Sequence, residues 1–285
     1  MSVTQTSQFS GKPARSMSAG APMKSLLPLV ALLCLAAPAH AVDERYKPYA
    51  PRPELAGSVK VQGAPAPANL LILWGESFRA LQPGVAISEG AGTLRVRVAI
   101  EALAILVHKD NPLNCLTLDE VKALFGANAS WGAAGATGAF AAEPVRPLMR
   151  EERLGEGAFF REVVLDGGAL PGNASRYTRA SRLLKALAET PGGIAFLPAG
   201  YRGEGTRALQ LSERGACVAP TQSNASRADY PLSRFVWLEG QPEDATLAFF
   251  DYVLSQQGQR DAVIAGHFTL PFVFAAEERR KLGLD

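Results

Sequence analysis

Histidine and cysteine are scarce in this 285-residue chain, with three of each. His40 lies in the opening stretch, which leaves His108 and His267 far apart. Two isolated imidazoles lack the paired ligand spacing of a zinc site and argue against a histidine-activated nucleophile. No catalytic residue, metal ligand or cofactor motif is assigned, and the chain reads as a non-enzyme. Excess charge is missing too. Without the three basic residues of the first 41, the 29 Lys and Arg become 26 against 27 Asp and Glu, a balance of about −1. Such a surface offers nothing to nucleic acid or to an anionic membrane. Beyond residue 41 no apolar run approaches the roughly 20 residues of a spanning helix, so no direct membrane insertion is expected. There is no internal repeat.

What is present begins with a leader. Residues 1–41 carry Lys12, Arg15 and Lys24, no acid, the apolar run "SLLPLVALLCLAAP" and a small-residue "AHA" before Val42. A basic region, an apolar region of about a dozen residues and small residues at the cut describe a secretory signal peptide. The expectation is a periplasmic or secreted protein, cut near Ala41–Val42, with Met1 or Met23 as the start. Cys34 leaves with the leader, so Cys115 and Cys217 remain. An even pair in an oxidising compartment reads as a disulfide; two buried free thiols are the alternative.

The Pro-rich residues 42–56 read as an extended arm. "GSVKVQG" alternates like a strand. "PANLLILWGESFRALQPG" sets Leu70, Leu71, Trp74, Phe78 and Leu81 on one helical face. "VAIS" is a second strand, and the continuous apolar run of "IEALAILVHKDNP" fits a strand buried on both faces. Thr117 with Glu120 forms a capping box ahead of a helix. The Ala/Gly-rich stretch from Gly126 to Pro147 reads as a mobile loop. "LGEGAFFREVVL" and "SRYTRASRLLKALAETPGG" read as helices, "GIAFLPAGY" and "RALQLS" as strands, and "YPLSRFVWLEG" as an extended return. "QPEDATLAFFDYVLSQQG" is a helix with Pro242 near its start and Gly258 past its end. Strands alternating with helices indicate an α/β fold with a mostly parallel sheet. Trp74 reads as core, "EER" at Glu151–Arg153 as a solvated charge cluster, and the "NAS" tripeptides at Asn128, Asn173 and Asn224 as chance or turns.

The order of "HKDNPLNCLTLDEVKALF", "REERLGEGAFF", "TPGGIAFLPAGY", "CVAPT", "YPLSRFVWLEGQP" and "FFDYVLSQQGQ" resembles the phosphate-binding periplasmic proteins of ABC transporters, within the type II periplasmic-binding-protein fold. The resemblance covers most of the chain from Gly57 to Pro271. It implies a two-lobed α/β fold: lobe one from residues 57–110 and 219–285, lobe two from 111–218. Lobe one is expected to be truncated, because the helix and acid-bearing strand that the family places after Thr93 are missing.

The anion site that the resemblance implies is altered loop by loop. A cleft oxyanion needs N–H groups at helix starts, hydroxyls and a bidentate arginine. The first loop has Gly63, Ala64, Pro65, Ala66 and Pro67 where the family has hydroxyls. The second keeps Gly90, Ala91, Gly92 and Thr93, and Thr93 can donate, but Glu89 stands beside it. In the third, Arg150 matches the family's anion-binding arginine, while Leu154, Gly155 and Glu156 replace Ser-Gly-Thr ahead of Gly157. Two lost hydroxyls remove about 3–6 kcal/mol, and a carboxylate about 4 Å from the anion adds roughly 4 kcal/mol of repulsion. Micromolar affinity is only about 8 kcal/mol. Either Glu156 folds into the slot and pairs with Arg150, or it points to water. The expected function is an exported solute-binding protein of the phosphate-binding type with a degenerate anion site. Its partners would be a small oxyanion or another small ligand and an inner-membrane transporter. A scaffold for an envelope protein is the alternative.

Overall fold

The computed structural model describes residues 42–63, 68–151, 156–213 and 215–285. The leader and its cut, Ala64 and Gly155 lie outside them. The alternating "GSVKVQG" forms β1 (Gly57–Gly63), followed by α1 (Ala68–Leu81), β2 (Val85–Glu89) and the long β3 (Leu94–His108). Helix α1 buries Leu70, Trp74 and Phe78 on its inner face. Leu81, expected on that face, is exposed at the helix end.

Next come β4 (Cys115–Thr117) and α2 (Leu118–Leu124). The capping box is present: Thr117 accepts from the Glu120 N–H, and Glu120 reaches back to the Thr117 N–H. The following Ala/Gly-rich stretch is anchored rather than loose. Its Trp131 is fully buried, donates to the Gly192 carbonyl at 3.2 Å, caps the 3-10 turn Gly132–Ala134 and packs on Phe140 of the 3-10 turn Gly138–Ala142.

Then follow β5 (Arg146–Arg150), α3 (Glu156–Val163), β6 (Ser175–Tyr177) and α4 (Ala180–Ala188). Ser175–Tyr177, expected at the start of a helix, is instead a strand. It pairs in parallel with Leu148–Arg150, and that long-range ladder overrides local helical propensity. Strands β7 (Gly193–Pro198), β8 (Thr206–Ala208) and β9 (Gln210–Ser212) lead to the short α5 (Gln222–Ser226) and to β10 (Ser233–Gly240). The chain closes with α6 (Asp244–Val253), α7 (Gln256–Ile264), β11 (Phe268–Thr269) and α8 (Phe272–Lys281). Gly258 lies past the end of α6, as expected, but does not terminate it. It lies inside α7, where its N–H meets the Ser255 cap and an added Cβ would strike the Tyr252 carbonyl at 2.3 Å.

The main sheet runs β2-β1-β10-β3-β7-β5-β6, with β8 and β11 also on β3. It is parallel only toward its ends, where β1 pairs with β2 and β5 with β6 and β7. The centre is antiparallel, because β10 and β7 both run against β3. The expectation of a mostly parallel sheet therefore fails in the middle. Apolar residues gather in two cores. One contains Val59, Trp74, Phe78, Phe249 and Tyr252. The other contains Leu103, Trp131, Phe160, Phe196 and Tyr230. Strand β3 serves both, giving Val96, Val98 and Ala99 to the first and Ile100 and Ala102 to Val107 to the second. This makes the fold a two-lobed α/β architecture in which β3 runs from one core into the other, with Phe235 of β10 also packed against both.

Residues 42–56 have no regular helix or strand, but they are packed. Tyr46 and Tyr49 are buried, the Tyr46 hydroxyl donates to the Leu270 carbonyl, and Tyr49 meets Phe78 and Tyr252 edge on or tilted. The two cysteines form a disulfide, Cys115–Cys217, with Cα atoms 5.9 Å apart.

Candidate functional site

Arg150 ends β5 and Glu156 opens α3, so the end of a strand delivers a guanidinium to the start of a helix. Arg150 Nη1 donates to Glu156 Oε1 at 2.8 Å, and Nη2 donates to the Thr178 carbonyl at 3.3 Å. Glu156 is 1% exposed. The reading in which Glu156 points to water is thus excluded; the carboxylate fills the space between arginine and helix. A carboxylate at this position is favoured by the unsatisfied N–H groups and dipole of the helix start, and the ion pair adds a charge-assisted hydrogen bond. Gly157 sits beside it with Leu170 close, 3.1 Å from where a Cβ would stand.

The other sequence-derived candidates do not share hydrogen bonds with this pair among the described residues. Gly63 pairs with Leu238 at the end of β1. The Gly90–Thr93 turn joins β2 to β3, and its glycines serve packing. A Cβ on Gly92 would lie 1.8 Å from the Gly240 carbonyl carbon. Ala91 accepts from the Gln241 side chain, and Thr93 is exposed.

Of four polar residues that sequence reasoning did not place, Glu101 and His267 are buried and Arg234 and Tyr201 are half-buried. Glu101, in the middle of β3, is fully buried and accepts from Arg234 Nε at 2.7 Å across the β3–β10 ladder. Arg234 also donates to Glu162 at 3.1 Å and lies 3.9 Å over the Phe159 ring, tying both strands to α3. His267, expected at a surface or hinge, is buried, with Asn69 3.5 Å from its Nε2. The charge of Arg150 reaches the Tyr201 phenol. One signal for Glu101 was available: an acid inside a continuous apolar run must find a buried partner.

The electrostatics follow from burial. Desolvation pushes Glu156 up to about 7, against the pull of Arg150, while Glu101 pushes in the same direction as burial. Burial also raises Glu101, opposed by Arg234. Burial and the nearby Arg150 lower His267 to about 3, so its imidazole is neutral. Four atoms in this cluster, Glu101 Oε1, Glu156 Oε2, Arg150 Nε and His267 Nδ1, are buried without a hydrogen-bond partner among the described residues. No group of three or more metal-ligating side chains occurs among the described residues.

A raised carboxyl has a defined effect on stability. Its contribution is fully present below the unfolded value of 4.5 and is lost as pH rises through about 7. From pH 5.5 to 8 the wild type should therefore lose about 2 kcal/mol more stability than Glu156→Gln. Urea melts of both proteins at the two pH values measure this. Equal slopes would contradict the burial of an ionisable Glu156.

The PBP superfamily domain matches residues 84–257. The chain is 28% identical to the phosphate-binding protein PstS of Pseudomonas aeruginosa, over 86% of this chain and 93% of that one. It is 26% identical to the phosphate-binding protein PstS of Bacillus subtilis, over 59% of this chain and 54% of that one. A possible phosphate binding protein from Planctomyces limnophilus superposes with a TM-score of 0.66 at 15% identity, covering 75% of this chain and 93% of its own. An ABC-type phosphate transport receptor from Vibrio cholerae superposes with a TM-score of 0.55 at 17% identity, covering 71% and 95%. At such identities the superpositions establish the fold.

Proposed function

Since this chain belongs to the PBP superfamily, we propose that it is an exported solute-binding protein of the phosphate-binding type whose inherited anion slot is filled by its own Glu156. It would hold a small oxyanion or another small solute and present it to an inner-membrane transporter. Binding rather than catalysis is its task. The leader of residues 1–41 would send it to the periplasm, with a cut near Ala41–Val42. The relatives in Pseudomonas aeruginosa and Bacillus subtilis are named as phosphate-binding proteins, which supports the class of solute. The observation that carries the reading is the 2.8 Å pair between Arg150 and a buried Glu156.

The pair sets a limit on free phosphate. The carboxylate already uses the arginine, and it adds like-charge repulsion of roughly 4 kcal/mol for a separation of about 4 Å. Calorimetry of the purified protein at pH 8 against phosphate, sulfate and amino acids tests this. Wild type should bind phosphate no tighter than about 1 mM. Glu156→Thr removes the charge and restores a hydroxyl, and should bind at least about tenfold tighter, one hydrogen bond to a charged group being about 1.5–3 kcal/mol. Micromolar phosphate binding by the wild type would end the proposal.

A further inference from the structure

A groove of about 910 Å³ runs along α4, between that helix and the loop after β7. It lies on the side of Arg150 where Nη2 meets the Thr178 carbonyl. Its volume is far more than one inorganic oxyanion needs and falls within the roughly 300–1,000 Å³ that takes a drug-sized ligand.

Its charge is uneven. From Gly167 to Ala188 the sequence holds Arg176, Arg179, Arg182 and Lys185, three residues apart, and no acid. Arg179, Lys185 and Arg202 line the groove, and none has a carboxylate partner among the described residues. Among the described residues, Arg202 donates only to the backbone carbonyls of Ala199 and Tyr201. The acids in the lining, Glu189 and Glu204, stand at the other end of α4, where Gly205 packs on Ala188 with only 2.9 Å between a Cβ built there and the Ala188 Cβ. Arg179 at the N-cap and Glu189 at the C-cap of α4 thus oppose its dipole, while Lys185 in the last turn suits it. Cations at a helix start are unfavourable by about 0.3–1 kcal/mol each unless an anion lies near. The wall between the two charged ends is apolar, formed by Leu184 and the Tyr201 ring.

We propose that this groove, which Arg150 borders on one side, is a second anion site beside the Arg150–Glu156 pair, and that it takes an organic oxyanion. The charged head, a phosphate ester or a carboxylate cluster, lies among Arg179, Lys185 and Arg202. The apolar body lies against Leu184 and Tyr201. Inorganic phosphate satisfies the head alone and leaves the wall bare.

Phenyl phosphate, citrate and inorganic phosphate, titrated into the purified protein at low ionic strength, test the assignment. Phenyl phosphate or citrate should bind with Kd below about 1 mM, and which of the two binds tighter tells an ester head from a carboxylate head. The double variant Arg179→Glu, Lys185→Glu should weaken that binding at least about tenfold, since each exposed charge reversal replaces attraction by repulsion. Arg179→Gln, Lys185→Gln should fall between, and serves if the reversal disturbs folding. In Glu156→Thr, reversing Arg179 and Lys185 should still weaken the organic probe at least about tenfold, because those two cations have no carboxylate partner among the described residues while Arg150 borders both sites. The proposal is overturned if neither organic probe binds, or if the charge variants bind as the wild type does. Tight phosphate binding in the Glu156 slot would defeat the proposed function without touching this result.

Discussion

Arg234→Ala should cost about 3–5 kcal/mol of stability, the range for stranding one partner of a buried ion pair. Glu101 is fully buried in the middle of β3, and Arg234 is its sole ion-pair partner among the described residues. Removing the guanidinium leaves a carboxylate in a strand flanked by Ile100 and Ala102, both buried. The loss of the cation stacked on Phe159 adds about 0.5–2 kcal/mol. The partner at Glu162 is exposed and contributes little. Urea denaturation midpoints measure the total. The double variant Arg234→Ala, Glu101→Met should recover most of the loss, because a stranded charge is worse than no charge at all. A cost under about 1 kcal/mol for the single variant would mean that Glu101 is neutral or hydrated in the native protein.

Opening the disulfide should have an effect of similar size. Cys115 and Cys217 are 102 residues apart, and closing a loop of that length is worth up to about 4–5 kcal/mol on the chain-entropy account. The native geometry around the bridge is held by other contacts. Cys115 pairs with Gln210 in the β4–β9 ladder, and Val218 bridges to Leu211. Reduction should therefore leave the folded state in place while freeing the unfolded chain. For a domain of this size about 1 kcal/mol moves Tm by roughly 2–4 °C, so Cys115→Ala, Cys217→Ala should melt about 8 °C or more below wild type. Equal melting temperatures, with the wild-type bridge shown to be closed, would contradict this.

Local pattern carried much of the fold. The alternation of "GSVKVQG", the apolar face of α1, the Thr117–Glu120 box and the long apolar run of β3 all reappear as the elements they suggest. Strand direction did not show, because it depends on which distant segments meet. β3 reads as a buried strand whether its neighbours run with it or against it. The misplaced start of α4 has the same origin, since Tyr177 is held by a ladder to β5. At the site, Arg150 and Glu156 are six residues apart, so their meeting was legible as a possibility. Glu101 and Arg234 are 133 residues apart, and only the β3–β10 register brings them together.

Under the proposed cut near Ala41–Val42, the packing of Tyr46 and Tyr49 limits how far the new end can be trimmed. These rings plug an aromatic socket made by Phe78, Tyr252 and Phe272. A peptidase that trims past Asp43 would first free Tyr46, whose N–H is bonded to the Asp43 carbonyl, and then unstopper the socket. At the mature end that the proposed cut would leave, trimming is accordingly tolerated over only a few residues before the socket loses its seal.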